Sequence, residues 1–126
     1  MRRTANVLMI IASTAAAGCG GPGTTAKAPP VDEARRHLVT ALDAWRAGKV
    51  KGLASASPPI RFVDPDQAAG ARLDGYKPGD DPTTVDHVVD YPVELTITDR
   101  KKATRTVQAA YQVVAEPALA VLRNDP

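Results

Sequence analysis

Cys19 is the only cysteine in this chain, so no disulfide can close within it and no pair of thiolates can hold a metal. His37 and His87 are the only histidines, and neither a His-x-x-x-His pair nor a Cys pair gives the ligand spacing of a zinc site. No metal and no cofactor is expected. Aromatic residues are equally scarce: Trp45, Phe62, Tyr76, Tyr91 and Tyr111 complete the set. The core must therefore come mostly from Val, Leu and Ala, which favours a thin core over a deep pocket. No apolar run approaches the ~20 residues of a membrane-spanning helix. An excess of one charge is missing too. The chain has 16 Lys and Arg against 14 Asp and Glu, and Arg2 and Arg3 account for the difference. From residue 4 onward the signs balance, so nothing draws the protein toward nucleic acid over distance.

What is present begins at the N-terminus. Arg2 and Arg3 precede an apolar run from Val7 to Ala17, and small residues follow. That is the charged, apolar and small-residue order of a secretory leader. Ala16-Ala17-Gly18-Cys19 resembles the lipobox of bacterial lipoproteins, with Ala16 where Leu is commonest. The resemblance implies a diacylglyceryl thioether on Cys19, cleavage after Gly18 and acylation of the new amino group. The partner it implies is membrane lipid, reached through acylated Cys19. Gly20, standing where Asp would favour inner-membrane retention, points to the outer membrane. The same leader also suits a secreted protein cut at Ala15-Ala16-Ala17 with Cys19 a free thiol.

Residues 1–18 thus read as a signal peptide and residues 19–30 as a lipidated cysteine with a flexible tether. The Gly, Pro and Thr of this tether carry no apolar period and give a mean reach of roughly 15–20 Å. Residues 31–126 are long enough for one small domain. Asp32 to Ala47 is predicted as a helix, with Asp32 as its N-cap and Gly48 as a left-handed stop. Ala34, Leu38, Ala41, Leu42 and Trp45 share one face at helical spacing. A second helical turn is expected around Val50–Ala56.

From Ile60 the period becomes two. Strands are expected at Ile60–Val63, Ala71–Tyr76, Thr84–Thr98, Thr104–Val114 and Ala118–Arg123. Asp64-Pro65-Asp66 ends the first of them. Lys77 to Pro82 is a loop, Asp99 to Ala103 a polar hairpin tip, and Pro92 a bulge or an edge. The fold class is α+β, an N-terminal amphipathic helix packed on an antiparallel meander of about four or five strands. That order resembles the nuclear-transport-factor-2-like and cystatin-like folds, in which a curved sheet cradles a helix.

The chemistry is sparse. Asp86, His87 and Asp90 lie close in sequence, and the first of these resemblances implies an Asp base with a Tyr donor, for which Tyr91 and Tyr111 are the candidates. The same residues also suit an exposed strand face. Gln112-Val113-Val114-Ala115 is similar to the inhibitory loop of cystatins, but Glu116 replaces its glycine and removes the backbone freedom that loop needs. Arg100-Lys101-Lys102 reads as a solvated tip that discourages edge pairing, or as a contact for anionic lipid. Trp45 reads as the anchor of helix on sheet, with a pocket wall as the alternative. No catalytic residue is assigned. The expectation is a membrane-tethered, non-catalytic binding or accessory module of the cell envelope, its partner an envelope protein or small ligand. The alternative is a small pocket enzyme or ligand-binding protein of the nuclear-transport-factor-2-like type.

Overall fold

Helix α1, Val31–Arg46, forms where the apolar stripe dictates, and it buries Ala34, Leu38, Ala41, Leu42 and Trp45. The computed structural model describes residues 27–125. The leader, Cys19 and the tether up to residue 26 lie outside the described residues. Asp32 is not the N-cap. Pro30 takes that position, its carbonyl accepting from the Ala34 N–H at 2.8 Å, and Asp32 and Glu33 fall in the first turn. A proline is suited to this end because its missing N–H would have had no helical partner. The acidic pair still meets the positive end of the helix dipole. At the other end Gly48, at φ +70°, makes the left-handed stop, and the Lys49 N–H closes back on the Ala44 carbonyl at 2.7 Å.

A 3-10 helix, Val50–Ser55, buries Leu53 and leads into the sheet. The strands are β1 Arg61–Val63, β2 Arg72–Pro78, β3 Thr83–Val85, β4 Val88–Thr98, β5 Thr104–Val114 and β6 Ala120–Arg123. A single helical turn, α2 Pro65–Ala68, joins β1 to β2. The sheet order is β1-β6-β5-β4-β2, with β3 also on β4.

The sheet is mixed, not an antiparallel meander, because β1 runs parallel to β6. No hairpin joins β1 to its neighbour. The chain leaves β1 through α2 for the far edge, where β2 pairs with β4. The edge beside β6 is then open to β1 in either direction. Strand signal over Thr84–Thr98 is also interrupted. Val85 pairs with Val88 across a two-residue turn, Asp86-His87, with Asp86 at φ +54°. Asp tolerates that conformation better than most side chains, which lets the hairpin close. His87 is therefore at a turn and not in a strand, and β3 brings the strand number to six.

Strand alternation decides the core. Val89, Tyr91, Val93, Leu95 and Ile97 of β4 and Ala109, Tyr111 and Val113 of β5 point at α1 and are buried. Each Val, Leu or Ile among them contributes about 1.5–3 kcal/mol when fully buried. Pro92 interrupts nothing. Its carbonyl accepts from Gly79 N–H at 2.7 Å on the side where β2 has ended and β3 has not begun, so no strand partner asks it for a donor.

Two ends of the domain follow from this register. Val88 opposite Val114 marks one end of the long β4–β5 ladder, and Thr98 opposite Thr104 the other. Lys27 N–H donates to Glu116 Oε2 at 3.3 Å, so the chain enters at the Val114 end. The 16 residues of α1 then carry it about 24 Å toward the hairpin tip. Among the described residues no helix is long and apolar enough to cross a membrane.

Candidate functional site

Two features stand out, a buried charge network and an open cleft. The network starts at Asp64, which is 2 % exposed. Asp64 follows β1 and caps α2, with Pro65 at the first helical position. Its Oδ1 accepts from the N–H groups of Asp66 at 2.8 Å and Gln67 at 3.0 Å. Its Oδ2 accepts from the Tyr111 hydroxyl at 2.5 Å. Arg123, its side chain 5 % exposed, reaches Asp64 at 3.3 Å and Asp66 at 2.7 Å, and Asp125 at 2.8 Å. Arg105 adds a second guanidinium on Asp66 at 2.7 Å.

Burial and the charge of Asp64 push the Tyr111 hydroxyl far above its usual range. Burial opposes the charge of Arg123, but hydrogen bonds to Asp125 and Asp66 outweigh it, and its pKa rises. Burial likewise opposes the charge of Asp125, and the Arg123 guanidinium overcomes it, so Asp125 titrates below the usual carboxylate range. No buried side-chain polar atom lacks a partner among the described residues. A base needs a free lone pair and a route to substrate. Asp64 has neither, since four donors surround it and its side chain is closed to solvent. The network is a structural clasp joining β1, α2, β5 and β6.

The residues singled out in the sequence do not converge. Asp86 and His87 are exposed at the β3–β4 turn, and Asp90 lies on the outer face of β4. Tyr91 and Tyr111 are cross-strand neighbours on the opposite, core-facing side. His37, its side chain mostly buried, lies 3.5 Å from Glu33 one turn earlier on α1. Among the described residues no group of three or more His, Cys, Asp or Glu side chains is placed to hold a metal. Asp64 and Arg123 were missed because their sequence context marks only a turn and a strand end.

The cleft lies at the far end of α1. It encloses about 620 Å³ between that helix end, the 3-10 helix and the start of β2, with Trp45, Arg46, Lys51, Gln67, Gly70 and Arg72 among its walls. Trp45 serves both roles considered for it. Its Nε1 donates to the Ala71 carbonyl at 2.9 Å and its ring meets Phe62 at 6.1 Å, so it packs, while one surface reaches the cleft. Phe62 in turn stacks on Tyr111 at 6.2 Å and ties the cleft floor to the clasp.

Gly70, at φ +92°, lies beneath the Arg100 side chain. A Cβ there would stand 2.2 Å from Arg100 Nε, so a larger residue would push this guanidinium out of its present place. The charged tip of the β4–β5 hairpin is thereby folded against the cleft. Comparison with protein-family models, with curated proteins and with solved structures finds no match to this chain.

Proposed function

We propose that this chain is an exported lipoprotein whose folded domain is a non-catalytic binding module, held at a cell-envelope membrane by lipid on Cys19. The observation that carries the anchor is the position of the only cysteine, directly after Ala16-Ala17-Gly18 and an apolar leader. Several acyl chains on one residue give stable anchoring, since each buried methylene contributes ~0.8 kcal/mol.

The arrangement of the domain supports the binding role. Lys27 enters beside Glu116, whereas the cleft and the Arg100 tip lie at the opposite end of α1. An anchor at residue 19 then joins the end of the domain remote from the cleft, and a flexible tether leaves the cleft free to meet soluble or envelope partners. Asp64 and Tyr111 are closed to substrate, which removes that pair as a catalytic group, while a second carboxylate–phenol pair, Asp43 and Tyr76 at 2.7 Å, lies exposed beside α1.

Mass spectrometry of the mature N-terminus tests the anchor. The expected product begins at an acylated Cys19, and Cys19→Ser abolishes the modification. An unmodified chain starting at Gly18 would replace this reading with the ordinary secreted one.

A further inference from the structure

We infer that the cleft at the end of α1 is an oxyanion site, taking a small ligand with clustered phosphate or carboxylate groups. The inference deepens the binding-module reading and rests on it. Arg46, Lys51 and Arg72 line the cleft, and Arg100 lies against its wall at Gly70. No Asp or Glu lines it.

Two of these cations are partly offset. Arg72 meets Asp74 at 3.0 Å, and Arg46 approaches Asp43 at 3.9 Å while lying 5.9 Å from the centre of the Tyr76 ring. Lys51 and Arg100 make no ion pair among the described residues. Ala47 and Gly48 also bring the carbonyl end of α1 to the cleft. That end is worth about half a negative charge, which steadies the cations without cancelling two unpaired ones.

Gly70 is the second, independent pointer. Its φ of +92° ends α2, with the Gly70 N–H on the Gln67 carbonyl at 3.0 Å, and its missing Cβ leaves room there for a guanidinium that has no carboxylate partner. Arginine presents paired donors to phosphate and carboxylate oxygens, and lysine adds a point charge. The volume suits a small molecule.

Trp45, the only tryptophan, lines the cleft and reports on it. The full chain in detergent is titrated with tripolyphosphate and with citrate at ionic strength held constant with KCl. The full chain carrying Cys19→Ser is titrated with phosphatidylglycerol vesicles, so that no acyl chain contributes. We expect a saturable change in Trp45 emission with a free anion. In Lys51→Ala/Arg100→Ala the Kd should rise at least tenfold while the far-UV dichroism matches the parent. A response to vesicles alone, lost in the double variant, would assign the oxyanion to a lipid headgroup. No response to any of the three, or an undiminished response in the double variant, overturns the site. A wild-type chain that binds but proves to carry no lipid on Cys19 would keep the site and remove the anchor. A lipidated chain blind to all three probes would do the reverse.

Discussion

The hydroxyl of Tyr111 donates to Oδ2 of Asp64 at 2.5 Å, across 47 positions of sequence. This bond pins the turn after β1 to the second half of β5, and Arg123 of β6 brings a positive charge to Asp64. The value of such a group lies less in its net contribution than in the cost of breaking it. A buried charge whose partner is removed has nowhere to find solvent.

Arg123→Met should therefore cost about 3–5 kcal/mol, the range for removing one partner of a buried ion pair. Tyr111→Phe removes one neutral donor and leaves the others on Asp64, so about 1–2 kcal/mol is expected. Urea denaturation of the two variants checks the order. A Tyr111→Phe chain less stable than Arg123→Met would show that the phenol's hydrogen bond, not the guanidinium's charge, is the main support of Asp64.

Trp45→Ala should cost about 3–5 kcal/mol, because the side chain fills the space between α1 and Phe62. Against the roughly 5–10 kcal/mol expected of a domain this small, that leaves the fold marginal. Lys101→Ala, exposed at the hairpin tip, should change stability by less than about 0.5 kcal/mol. Thermal melts of both beside the parent decide the matter. A Trp45→Ala variant that melts like the parent would mean that the indole serves the cleft alone.

Gly70→Ala should cost about 1–3 kcal/mol through its left-handed backbone and should also displace Arg100. The Arg100→Ala background separates the two effects, since it removes the clash and keeps the backbone strain. Chemical denaturation of Gly70→Ala in both backgrounds should show a smaller loss when Arg100 is absent. Equal losses would mean that Arg100 swings away freely.

Stability should fall in alkali. Burial, with the hydrogen bond to Asp43, pushes Tyr76 up to about 12, and burial also raises Tyr111. Raised values favour the protonated phenols in the fold, so this contribution is complete below about pH 10 and is lost as pH climbs toward 12. In acid the sign reverses. The Thr98 and Arg72 side chains hold Asp74 below its usual range through hydrogen bonds, and Asp125 is lowered as well. Their share is present above about pH 4 and is lost as pH falls further. Urea midpoints from pH 3 to pH 11.5 should form a plateau with both shoulders. Tyr76→Phe/Tyr111→Phe should flatten the alkaline one, and an unchanged shoulder would remove the tyrosines as its cause.

The sequence by itself determined the elements whose causes are local. The α1 stripe repeats at helical spacing, so its buried face, including Trp45, was legible before any partner was known. Thr104–Val114 alternates cleanly and is β5 to the residue, and Gly48 marks the end of the helix. Asp86-His87 carries strand signal because β-branched neighbours on both sides mask a turn that depends on Val85 finding Val88. Tertiary structure alone decided the parallel pairing of β1 with β6, the Asp64–Tyr111–Arg123 clasp and the seating of Arg100 on Gly70. Each of these joins single residues far apart in the chain. Such contacts leave no period in the sequence, and they form only after burial of the α1 and sheet faces has brought the partners within hydrogen-bonding distance.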